Sequence, residues 1–338
     1  MEAKKKFELT NDVIEIDGIT LHRIKALKDF SDVKAGDLGG WIEKEDNLSQ
    51  IGNAWVYSNA KVYGDAKICY HSKVCDNAKV YDHVTICGNA RVCGDAVVFD
   101  NVIVFDNVMV CGNAKVYGNA MVYGDAKIYN NAMVCNNAMV GNYAIVSGNA
   151  HVYGNAMVGD NARVYGYAKV YDYAIISGDA FIRDNAVIRG KAQIGSSAQV
   201  YGNAQVYDNA KVYGIAQIYD NAQVYGNVRV FGNSKVYASA IAFESAKVYD
   251  NAKVYGNARV GGDAVVCDNA RVEGNAKIFD NAEVFGDAVV YGNAMVSDNS
   301  MVFANAQVYG YARIDGGTMV AGNTKVCGNE VIRNNADY

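Results

Sequence analysis

One six-residue phrase, roughly Gly/Asp-Asn-Ala-x-Val-Tyr, repeats from Gly52 to the C-terminus with no residue inserted or deleted. Stepping by six from Ala54 to Ala336 meets 48 positions, of which 38 are Ala. The same step from Val56 to Ile332 meets Val or Ile everywhere except Ala242. A phase held this strictly allows few folds, because each repeat must be one structural unit that buries its apolar residues only by stacking on its neighbours.

A hexapeptide period is the signature of a parallel β-helix. In Lys115-Val116-Tyr117-Gly118-Asn119-Ala120, the first three residues alternate out, in, out as a short strand. Gly118 and Asn119 make the corner, both being residues that tolerate the left-handed backbone. Ala120 turns inward where only a small side chain fits. Three such strands close a triangular coil of 18 residues, giving about 16 coils along residues 52–338. The absence of proline among 338 residues suits a chain whose N–H groups are needed by sheet ladders.

Residues 1–51 lack the period. Apolar residues alternate on both sides of Asp17-Gly18, which reads as a two-residue hairpin turn. Gly36, Gly39 and Gly40 then lead to Trp41 and Ile42. This segment is expected to be a β-hairpin cap with Trp41 plugging the first coil, since a bare coil would expose its edge and lumen. At the other end the small inward slot becomes Thr318, Thr324 and Glu330, and an inward carboxylate there opposes end-to-end docking of another solenoid.

The aliphatic residue, two turn positions and small residue at this spacing resemble the left-handed β-helix of the hexapeptide-repeat superfamily, and the left hand is what that resemblance implies. The stretch Leu21-His22-Arg23-Ile24, Gly39-Gly40-Trp41-Ile42, Glu45-Asp46-Asn47-Leu48-Ser49 and Ala54-Trp55-Val56-Tyr57 is similar to the leader of uncharacterised bacterial and prophage hexapeptide-repeat proteins. Those are provisionally labelled transferases or polymer-forming proteins. The expected fold is therefore all-β, a left-handed parallel β-helix with a small N-terminal β-hairpin cap.

Residues 18 apart share a column on one face. The slot after Val/Ile gives aromatic ladders such as Tyr201, Tyr219, Tyr237 and Tyr255, read first as structural. One face departs from the pattern: Ile103, Met121, Met139, Met157 and Ile175 run beside Phe105, Tyr123, Gly141, Gly159, Ser177 and Gly195, a line of large apolar residues beside a trough where rings are deleted. Contiguous exposed apolar surface marks an interface. The expectation is side-by-side self-association, as a trimer by analogy with the superfamily. Arg183 and Arg189 replace rings near the trough and are candidates to clamp an anionic ligand.

Acyltransferases resembling this repeat use a His base at the groove between subunits. Of the four His, His151 is the candidate base, preceding the corner to Met157 and Gly159. No cofactor and no metal site is expected, since the eight Cys sit in the aromatic slot with no CxxC pair. Cys75, Cys93 and Cys111 stack on successive coils and are read as reduced thiols. Lys211, Arg229, Lys235, Lys247, Lys253, Arg259 and Arg271 form a basic belt neutralised by nearby Asp, so nucleic-acid binding is not expected at net charge −5. No apolar run reaches the length of a membrane span, and a cytoplasmic protein is expected. The preferred reading is a non-enzymatic rigid rod that self-associates and presents its other faces to a protein partner; the alternative is an acyltransferase using His151.

Overall fold

The structure, a computed structural model, describes residues 5–334. They form an all-β chain of about 16 parallel coils preceded by a hairpin, with one short 3₁₀ turn at Glu45–Asn47. No helix among the described residues is long and apolar enough to cross a membrane. The chain divides into two compact units after Gly166.

The first unit opens with β1 (Phe7–Ile16) and β2 (Ile19–Ala26), antiparallel and in register from Phe7↔Ala26 to Ile16↔Ile19. Asp17 and Gly18 both take positive φ, 51° and 80°, the turn whose twist matches the flanking strands. β3 (Leu38–Ile42) pairs antiparallel with β2, then parallel with Lys61–Val62, and so becomes the first rung of a solenoid sheet. This register corrects the expectation for Trp41. Trp41 lies opposite Lys61 on the outer face, half-buried beneath the Arg23 guanidinium at 5.4 Å, while Ile42 opposite Val62 points inward. Trp55 is the ring the cap buries instead, 1% exposed and met edge-on by Phe30 at 5.3 Å and Phe7 at 6.3 Å.

The remaining strands are mostly two residues long. Each pairs with the strand 18 residues away, as in Lys73↔Arg91↔Met109↔Lys127↔Ile145↔Arg163. The second strand residue and the small slot are buried throughout most of this unit and form its core. Where Ser72 replaces Ala, its hydroxyl donates to the Cys69 carbonyl at 2.8 Å, so the polar atom costs little inside.

The corners do not divide their labour as the sequence suggested. In the first unit only the first corner residue takes positive φ, whether Gly118 (75°) or Asp100 (64°). At Gly118 a Cβ would lie 2.7 Å from the Asn136 backbone nitrogen of the next coil. The second corner residue, usually Asn, instead builds an amide ladder: Asn101 Nδ2 donates to Asn119, Asn119 to Asn137 and Asn137 to Asn155, at 3.1–3.2 Å. Asp in the first slot adds a rung of its own, Asp100 Oδ2 accepting from Gly118 N–H at 2.9 Å.

The second unit repeats this construction. Tyr201, Tyr219, Tyr237 and Tyr255 stack with ring centroids 4.7–4.9 Å apart and planes within 5°. Toward its end the lumen opens, leaving Thr324 and Glu330 exposed, while Asp315 is buried and accepts two hydrogen bonds from Arg333 at 2.7 and 2.8 Å. Burial pushes Tyr219 and Tyr255 up to about 12 and also raises Tyr201 and Tyr237. A phenol held above its unfolded value of about 10 contributes stability that is full below pH 10 and is lost as pH rises through 12. Denaturant midpoints followed by circular dichroism should hold from pH 8 to 9.5 and fall steeply between pH 10 and 12. A Tyr219→Phe/Tyr237→Phe variant should soften that fall.

Candidate functional site

The most featured surface lies in the first unit, where the cap meets the first coils. After β3 the chain makes the 3₁₀ turn, pinned by buried Asn47, whose Nδ2 donates to the Gly64 and Ala66 carbonyls at 3.0 and 2.9 Å. Asn47 Oδ1 accepts the Lys44 N–H at 3.0 Å, which fixes where Lys44 leaves the backbone. Lys44 Nζ then reaches Asp65 Oδ1 at 2.8 Å, and the other oxygen of Asp65 lies 3.4 Å from His83 Nδ1. These groups, with Asp46, Lys67 and Thr85, line a cleft of about 410 Å³. The hydrogen bond from Lys44 holds the Asp65 carboxyl below its usual range, with a smaller pull from His83, and Asp65 in turn raises Lys44. An imidazole beside a carboxylate on the wall of a cleft can exchange a proton with a bound hydroxyl or amine. Asp65 and His83 occupy equivalent corner positions one coil apart, a signal the 18-residue step carries when applied to corners as well as strands.

A second cleft sits under the loop between β2 and β3. Asp32 Oδ1 accepts from Lys73 Nζ and from the Tyr57 hydroxyl, each at 2.8 Å, and those two bonds hold its carboxyl far below the usual range. His71 and Arg91 line the adjoining surface with Ser31, Asn53 and Asn89.

The residues singled out from sequence fall as follows. In the first unit Ile103, Met121, Met139 and Met157 are in register on one sheet, with Ile103 42% and Met157 38% exposed and the middle two half-buried. The trough beside them is not empty. The Tyr123 ring lies over Gly141, occupying the space a Cβ would take, and Gly141 is buried beneath it; Gly159 has only the Asn142 amide nearby. His151 lies outward and half-buried opposite Met133. In the second unit Ile175 is 36% exposed, and Gly195 is covered by the Tyr213 ring, 2.8 Å from where a Cβ would sit.

Arg183 and Arg189 end aromatic ladders. Their guanidiniums lie 4.1 Å from the Tyr201 ring centroid and 4.3 Å from that of Tyr207, and Arg183 also pairs with Asp184 at 3.1 Å. Stacking uses the flat faces of these cations and leaves their edges for hydrogen bonding. The basic belt is spread over three sheets, Lys211–Arg229–Lys247 on one, Lys235–Lys253–Arg271 on another and Arg259 on the third, so no single face carries it. The tyrosine faces of the Tyr201 ladder are turned to one another, which leaves ring edges rather than faces toward solvent.

Cys75, Cys93 and Cys111, the stacked run read as reduced thiols, are free. Cys69 and Cys87, one coil apart with Cα atoms 5.0 Å from each other, form a disulfide. The other six are free thiols.

Parallel coils, three sheets and a core of stacked Val, Ile and Ala define a β-solenoid. A family match agrees with that class. A family described as the YdcK Beta solenoid repeat matches at residues 114–127, 216–238 and 252–268. A curated relative named "Uncharacterized acetyltransferase YdcK" from Escherichia coli (strain K12) is 51% identical over 39 residues, 12% of this chain and 12% of that protein. A crystal structure from Desulfovibrio desulfuricans G20, named as a candidate acetyltransferase, aligns over 82% of this chain and 66% of its own at 11% identity, with a TM-score of 0.16. The repeat and the family match fit a hexapeptide-repeat β-helix family whose members carry transferase labels.

Proposed function

We propose that the protein is a non-enzymatic scaffold, a β-solenoid whose copies associate side by side through the apolar column of the first unit and leave their other faces to a protein partner. The observation that carries this reading is the in-register line Ile103, Met121, Met139 and Met157 on the outer face of a sheet, widened by the tip of the Tyr123 ring reaching over Gly141. Apolar side chains in line with a ring make a smooth strip with no charged member, the kind of surface that a second copy covers. By the superfamily resemblance the closed assembly is a trimer. A benzophenone photo-crosslinker placed at Met139 should capture a second copy of the chain on irradiation, and the same group at Lys253 should not. Equal capture from both positions, or none from Met139, contradicts the proposal.

A second reading has its own support. The exposed Asp65–His83 pair at the first cleft sets an imidazole beside a carboxylate, and the short relative bears the name acetyltransferase. In that reading His83, rather than His151, is the base that takes the proton from an acceptor amine or hydroxyl as it attacks the acyl donor. It requires acetyl transfer from acetyl-coenzyme A by the wild type and a loss of at least about 100-fold in His83→Ala, the lower range for general-base removal. Wild-type inactivity across a panel of amine and hydroxyl acceptors removes it.

A further inference from the structure

Below Tyr57 the aromatic column of the first unit becomes a run of thiols, Cys75, Cys93 and Cys111, one coil apart. The Sγ atoms of Cys75 and Cys93 and a carboxylate oxygen of Asp76 all lie within 4.8 Å of one another, a grouping otherwise unmatched among the described residues. Cys75 is buried, its Sγ 3.7 Å from the Val92 carbonyl, whereas Cys93 is half-buried and Asp76 exposed. Asp76 is held by its corner, with φ of 60° and Oδ2 accepting the Gly94 N–H at 2.9 Å, so Oδ1 is left for another partner. A cleft of about 260 Å³ opens in front, lined by Asp32, Tyr57, Lys73, Cys75, Asp76 and Arg91.

Two thiolates and a carboxylate are a ligand set for a borderline-soft divalent ion with filled d orbitals, which has no geometric demand of its own and accepts three protein ligands plus water. We propose that Cys75, Cys93 and Asp76 bind one Zn²⁺ or Cd²⁺ ion, with water from the cleft in the fourth position, against the sequence expectation of no metal site. Sulfurs bound to one tetrahedral zinc at about 2.3 Å stand roughly 3.8 Å apart, so closing the site takes side-chain rotation within one coil-to-coil step and no change of backbone. Charge balances as well. Three anionic ligands around a divalent ion leave one negative charge, which Arg91 in the cleft offsets, while Lys73 is already engaged by Asp32 at 2.8 Å. Binding releases the two thiol protons to solvent and oxidises nothing.

The test uses the full chain, reduced and freed of metal, titrated with Cd²⁺ while the ultraviolet sulfur-to-cadmium charge-transfer band is recorded. The band should saturate at one equivalent in the Cys69→Ser/Cys87→Ser/Cys111→Ser protein, which removes the other stacked thiol pairs. It should be lost in Cys75→Ser and in Cys93→Ser, and Asp76→Asn should weaken Cd²⁺ binding at least tenfold. Mass spectrometry of wild-type protein alkylated with iodoacetamide needs no variant: one equivalent of Cd²⁺ or Zn²⁺ should protect Cys93 and Cys75 and leave Cys327 reactive. No band at one equivalent, a band unchanged by Cys75→Ser and Cys93→Ser, or equal alkylation with and without metal overturns the site.

Discussion

Val224→Asp is expected to unfold the coils around it in the second unit. Val224 is fully buried, in register between Val206 and Ala242, and its neighbours in the lumen are the aliphatic and Ala side chains of the same stack. A carboxylate there has no partner and must either stay ionised in an apolar interior or take up a proton, and breaking burial in this way costs on the order of 3–5 kcal/mol. Because each coil contacts only its neighbours, the damage should be local. Hydrogen exchange read by mass spectrometry should show protection lost first from about residue 206 to 242 and kept from 289 to 308. A uniform loss across the unit would show that its coils fold as one cooperative block.

Trp55→Ala should strip the cap from the first coil at a cost of about 3–5 kcal/mol, the range for removing a buried large aromatic side chain. Trp55 is the anchor of a small cluster: Phe30 and Phe7 meet it edge-on, and Gly39 leaves room for it, a Cβ there falling 2.8 Å from its ring. Beside it buried Lys6 donates to the Ala54 carbonyl at 2.8 Å and lies 5.2 Å from the Phe30 ring. Burial, with a smaller push from Lys28, brings Lys6 down to about 8. A lysine depressed in the folded state favours its neutral form there, so the folded cap binds fewer protons than the unfolded chain between pH 8 and 10.5, and its stability rises with pH across that window. Guanidinium denaturation of wild type and Trp55→Ala, followed by tryptophan emission, which in the variant comes from Trp41 alone, measures the first effect. Repeating it at pH 7.5 and 9.5 measures the second, which should shrink in Trp55→Ala as water reaches Lys6.

How far the sequence could be read depended on what sets each side chain's direction. The coil architecture, the aromatic ladders and the Asp17-Gly18 hairpin were legible because an unbroken period fixes every residue's slot. Trp41 was not, because the period begins at Gly52 and the register of β3 against Lys61–Val62 cannot be obtained by counting back. A one-residue difference in register exchanges inside for outside. The amide ladder was hidden behind a correct residue preference given the wrong cause: Asn is at the second corner to bond its counterpart one coil on, not to supply positive φ. Tyr123 over Gly141 shows the same limit, since a deleted side chain leaves space that the tip of a neighbouring ring fills, and sequence shows only the deletion. The Asp65–His83 pair and the Cys75–Asp76–Cys93 cluster come from stacking corners and strands one coil apart, which the repeat implies but which becomes a site only when side-chain directions are known.

Sedimentation velocity over a concentration series, on the reduced wild-type chain and on Met139→Arg, tests the scaffold reading most directly. The account predicts a discrete assembly of the wild type that Met139→Arg dissociates, since a guanidinium in the middle of the Ile103–Met157 strip would be buried without a partner. A wild type that remains monomeric throughout, or an assembly that Met139→Arg leaves intact, would contradict it.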